Sequence, residues 1–137
     1  MRSLSVMLLL LTAGCSQFEN VTLDEVRAAE NKRSEGYIAM SIPGMQQALH
    51  DYAVSCRSLG SLTVEPLNPG RAAYTVAMPG YGNSNTVVRI DLQQIGTNTR
   101  YQAYTNDETW RNQMEEALYV MSGGKECRGS GPAPQRQ

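Results

Sequence analysis

Histidine is nearly absent from this chain, and that scarcity removes more chemistry than any other: His50 is the single imidazole in 137 residues. A zinc centre needs Cys or His ligands at fixed spacing, and none of the three cysteines stands in a CxxC or CxxH arrangement. No metal site and no cofactor is therefore expected. His50 beside Asp51 invites a proton-transfer role, but it falls off the apolar stripe of its helix. GxSxG is missing and no nucleophile is placed to use it, so it reads as a solvated surface residue. The Gly-rich stretch Met78-Pro79-Gly80-Tyr81-Gly82-Asn83-Ser84-Asn85 has neither the Lys nor the following helix of a phosphate loop, and reads as a hairpin tip. One-sided charge is lacking too. Twelve basic and 13 acidic side chains give a net charge of −1, with no electrostatic footprint for nucleic acid and no polybasic patch for anionic lipid. These gaps argue against an enzyme.

Long apolar runs are equally scarce, and the one present opens the chain: MRSLSVMLLLLTAGC. Arg2 and the free amine supply a positive start, Val6 to Leu11 are unbroken apolar residues, and Thr12, Ala13 and Gly14 are small enough for a signal peptidase. The run falls far short of the roughly 20 residues that span a bilayer. Ala13-Gly14 followed directly by Cys15 resembles the lipobox of bacterial lipoprotein precursors, with Thr12 where Leu is commonest. The resemblance implies that residues 1–14 are a cleaved signal peptide and that Cys15 is acylated on sulfur and amine. Each buried methylene of an acyl chain contributes about 0.8 kcal/mol and a single chain anchors only marginally, so several chains are needed to hold the protein at a membrane. Ser16, where an Asp would signal retention in the inner membrane, implies the outer membrane, facing the periplasm.

With Cys15 assigned to the anchor, Cys56 and Cys127 are left as an even pair in an oxidising compartment. A disulfide between them is the expectation, with a redox-active pair as the lesser alternative. It closes a loop of about 70 residues, for which chain entropy assigns roughly 4 kcal/mol.

Residues 15–35 are polar and charged and read as a tether, with a weak helix near Leu23 to Asn31. Residues 36–127 then form a single domain, and 128–137 a polar, Pro-containing disordered tail. Tyr37 to Ile42 alternates as a half-buried strand. Pro43 opens a helix whose stripe is Met45, Ala48, Leu49, Tyr52, Ala53 and Cys56, with Gly60 as its stop. Four strands follow, Ser61 to Glu65, Arg71 to Met78, Asn85 to Leu92 and Thr97 to Thr105, separated by turn chemistry such as Asn68-Pro69-Gly70. A capping box at Thr105 and Glu108 starts a second helix with Trp110, Met114, Ala117, Leu118 and Met121 on one face, closed by Gly123-Gly124. The order β-α-β-β-β-β-α predicts a two-layer α+β domain, an antiparallel sheet of about five strands covered on one face by two helices. That order is similar to the helix-grip arrangement of small outer-membrane lipoproteins, without a motif behind it.

Function is then expected on exposed surface. Tyr81 sits between Gly80 and Gly82 at a hairpin tip with no core to enter, and Arg89 and Tyr104 point to the outer face of the sheet, so these three are the candidate partner contacts. The reading is a lipoprotein that serves as a non-enzymatic binding or accessory module for another protein of the cell envelope. The alternative is a small carrier holding a lipid or other apolar ligand between helices and sheet.

Overall fold

A computed structural model describes residues 26–79 and 84–128. Its elements run β1 (Lys32–Ile38), α1 (Ile42–Ser55), β2 (Ser61–Glu65), β3 (Asn68–Pro79), β4 (Ser84–Ile95), β5 (Asn98–Thr105) and α2 (Arg111–Met121). All neighbouring strands pair antiparallel in the order β1-β5-β4-β3-β2, so the first strand closes the sheet beside the last. The two-layer α+β architecture is as expected. Among the described residues no helix is long and apolar enough to cross a membrane.

One core fills the space between helices and sheet. Ile42 and Met45 from α1, Tyr74, Val88, Ile90 and Ala103 from the strands, and Met114, Ala117, Val120 and Met121 from α2 are all at most 1% exposed. Alternation puts Tyr74, Val76, Val88, Ile90, Leu92 and Ala103 inward, because side chains two apart on a strand share a face, while Met78 at the far end of β3 is exposed. The helical stripes differ in detail. Leu49, Trp110 and Leu118 are only half-buried at the core's edge, Ala53 is exposed, and Val120 takes the central place in α2.

Several boundaries move, among them the end of α1, which stops at Ser55 ahead of Gly60. The first strand is Lys32–Ile38, seven residues that take in part of the segment read as tether, six of them with a partner on β5. Val26, also in that segment, is fully buried. The apolar beat of Ile38, Met40 and Ile42 ran on past the strand's end only because Ile42 is already the first residue of α1 and packs into the core. Ser41 caps that helix, its Oγ accepting from the Gly44 N–H at 3.2 Å, with Pro43 in the first turn where its missing N–H costs nothing. At the other helix, Thr105 is a buried strand residue whose hydroxyl donates to the Val87 carbonyl at 2.8 Å and accepts from the Asp107 N–H at 3.4 Å, ahead of the helical turn, so it is not the cap. Asp107 does so instead, accepting from the Thr109 N–H at 2.9 Å and leading a 3-10 turn, Glu108–Trp110, into α2. That N–H holds the Asp107 carboxyl below the ordinary aspartate range. The β2–β3 turn falls at Pro66-Leu67, and Asn68-Pro69-Gly70 belongs to β3 beside a register shift, a place where a strand tolerates Pro.

α2 stops as its glycines predict. Gly123 takes φ +100°, its N–H returns to the Val120 carbonyl at 3.0 Å and the Gly124 N–H to Tyr119 at 2.9 Å, which is the paired closure of a Schellman motif. The chain then runs back to α1, where Cys127 is joined to Cys56 by a disulfide with Cα atoms 5.4 Å apart.

Candidate functional site

Two regions concentrate polar chemistry, one on each side of the sheet. On the helix side, Glu116 lies within the buried face of α2 at 3% exposure. It accepts from the Tyr52 hydroxyl at 2.6 Å and is paired with the Arg57 guanidinium. The Tyr52 oxygen in turn accepts from the Arg128 N–H at 2.7 Å, and the Arg128 guanidinium stacks 3.6 Å over the Tyr119 ring. This network ties α1, α2 and the segment after the disulfide into one unit.

Burial pushes the Tyr52 hydroxyl above the ordinary tyrosine value, with the hydrogen bond to Glu116 adding to it, and burial pushes Tyr74 up further, with the Glu116 charge as the second cause. The fold therefore favours the neutral phenols, and their unfolded pKa is about 10. The stability they contribute is fully present below that value and is lost as pH rises from there through the folded values. Urea midpoints measured from pH 8 to 12 should be flat to about pH 10 and then fall. In a Tyr52→Phe, Tyr74→Phe double variant the alkaline fall should shrink, and an unchanged fall would assign it to other groups.

On the outer face, register decides which side chains meet. Arg71, Gln93 and Arg100 stand opposite one another on β3, β4 and β5; the next row is Ala73, Asp91 and Gln102, and the next Thr75, Arg89 and Tyr104. Asp91 sits at the centre. Its Oδ1 accepts from Arg89 Nε at 2.6 Å, and Arg27 Nε from the segment ahead of β1 comes within 2.9 Å of Oδ2, an ionic contact whose N–H is not aimed at that oxygen. A concavity of about 300 Å³ lies over these rows, walled by Arg27, Arg71, Arg89 and Arg100 with Glu65 and Asp91.

The sequence-derived contacts fall unevenly on this map. Arg89 and Tyr104 do share the outer face, as directly opposed residues. Neither is the free contact expected of it: Tyr104 is 7% exposed with its hydroxyl donating to Gln102 Oε1 at 3.2 Å, and the Arg89 guanidinium is held by Asp91. Arg89 lines the concavity and Tyr104 does not, and Arg71 and Arg100 are the exposed cations of its wall. Cys15 and Tyr81 lie outside the described residues. Cys56 and Cys127 come together as expected. His50 is exposed on α1, and among the described residues no group of His, Cys, Asp and Glu could hold a metal ion.

The proposed space for an apolar ligand, between helices and sheet, is taken up by the side chains of the core. A more apolar hollow of about 420 Å³ lies elsewhere, between α1 and the turn after α2, lined by Met40, Ala48, Tyr52 and Gly123 among others. In comparison with known proteins, this chain matches no protein-family model, no curated protein and no solved structure.

Proposed function

We propose that this chain is a lipid-anchored lipoprotein of the outer membrane, facing the periplasm, and that it acts as a non-enzymatic binding or accessory module for another envelope component. The observation that carries the reading is the pairing of Cys56 with Cys127. A disulfide at that position suits an oxidising compartment, and it leaves Cys15 as the one unpaired cysteine, at the end of an export signal. The outer sheet face is the better binding surface, since it is concave, charged and built on rigid strands, while Tyr81 enters on sequence grounds alone. The carrier alternative is less supported because the interlayer space is filled.

The test is Cys15→Ala in the native host. Wild type should partition into detergent with the mass of a processed, acylated chain, and the variant should keep its signal peptide and lose acylation. A variant that still partitions into detergent at the normal mature mass would overturn the anchor.

A further inference from the structure

The outer-face concavity has more cation than its own carboxylates use. Four arginines wall it against two acids, Glu65 and Asp91, an excess of two positive charges in a chain whose net charge is −1. Arg27 and Arg89 are both spent on Asp91. Among the described residues no carboxylate lies within ion-pair distance of Arg71 or Arg100; Glu35 feels the Arg100 charge but pairs with Lys32 at 2.8 Å. Arg71 and Arg100 flank Gln93 on strands either side of β4, so their Cα atoms stand about two strand spacings, roughly 10 Å, apart. Two long side chains rising from that separation can close on one small group between them.

We propose that this concavity binds a phosphate group, with the guanidinium forks of Arg71 and Arg100 as its two arms. A planar fork matches tetrahedral and planar oxyanions by paired hydrogen bonds, and a phosphomonoester near −2 at neutral pH balances the excess charge as a monocarboxylate does not. The Gln93 and Gln102 side chains add amide groups along the same wall. Beneath them, Asp91 is already neutralised by Arg89 and Arg27, so the floor does not repel an anion. A volume of about 300 Å³ admits a phosphate with a small organic body and little more. The proposal rests on the reading of the outer face as the binding surface and is independent of the lipid anchor.

The experiment is calorimetric titration of the full-length chain in a non-ionic detergent, at low ionic strength, with inorganic phosphate and with glycerol 3-phosphate. Saturable binding is expected, weakened about tenfold by Arg71→Gln or by Arg100→Gln and lost in the double variant, as removal of one charge-assisted fork implies. Arg111→Gln, on an exposed face of α2, should bind as wild type does. Matching thermal melts show that the variants fold. Tighter binding of glycerol 3-phosphate assigns the site to an organic phosphomonoester such as a lipid headgroup, and equal binding assigns it to free phosphate. Absence of saturable binding for both probes, a double variant that binds like wild type, or acetate binding as tightly as phosphate would overturn the proposal. Because the readout is anion binding, its failure leaves the fractionation result for Cys15→Ala untouched.

Discussion

Serine at both Cys56 and Cys127 lowers the free energy of unfolding by about 4 kcal/mol. The residues are 71 apart, and the loop they close holds β2 through β5 and all of α2, so the cross-link restricts most of the unfolded chain. The effect should therefore appear in the unfolded state as well as the folded one: wild type, compact when unfolded, should show a smaller denaturant slope than the double variant. Native contacts are lost with it. Arg128 follows Cys127 directly, and its N–H bond to the Tyr52 hydroxyl and its stack on Tyr119 both rely on the segment staying against α1. Denaturation of the wild type with and without reductant, beside the double variant, checks the size. A loss below about 1 kcal/mol would mean that the unfolded chain is held compact by something other than this bond.

Much of the architecture was legible because it is written in periods. β2 was placed to the residue, and Tyr74, Val76, Val88, Ile90 and Leu92 followed from alternation, which fails at Met78, exposed beyond the register shift after Val76. The boundaries that moved are those where one residue serves two patterns. Ile42 continues the beat of a strand while sitting first in a helix, and Thr105 looks like a cap while its hydroxyl is committed to the Val87 carbonyl across the sheet. Only the tertiary contact distinguishes these uses.

The candidate site was barely legible, for a physical reason. Arg27, Arg71, Arg89 and Arg100 are scattered along a chain with no basic cluster, and the register of three strands with the segment ahead of β1 makes them neighbours. A period-two reading does send Arg89 and Arg100 to the same face. It cannot say that Asp91 will consume one arginine and leave another open. Glu116 was missed in a different way: a glutamate in a helix is ordinarily solvated, and the available signal was that it adjoins Ala117 and lies a turn from Val120, inside the apolar stripe. A carboxylate there requires a buried partner, and sequence alone does not name Tyr52 and Arg57.

Glu116→Ala should cost about 2 to 3 kcal/mol. Removing one member of a buried ion pair commonly costs about 3 to 5 kcal/mol because the remaining charge is stranded in low dielectric. The figure is discounted here because Arg57 keeps a side-chain exposure of 39% and can turn its guanidinium to water. Tyr52 has less freedom: at 3% exposure it would keep the Arg128 N–H as a donor to its oxygen but exchange its 2.6 Å bond to Glu116 for the longer contact to the Arg128 carbonyl at 3.3 Å, a weakened buried group worth about 1 kcal/mol. Two further variants separate these contributions. Glu116→Gln retains shape and an acceptor for Tyr52 while discarding the charge, so it should cost about half as much as alanine if the phenol dominates. Arg57→Ala combined with Glu116→Ala should be clearly less than additive, since both remove the same pair. Glu116→Ala within about 0.5 kcal/mol of wild type, the range of an ordinary surface substitution, would show that α1 and α2 are held by apolar packing alone. The Tyr52–Glu116 bond would then be a consequence of that packing.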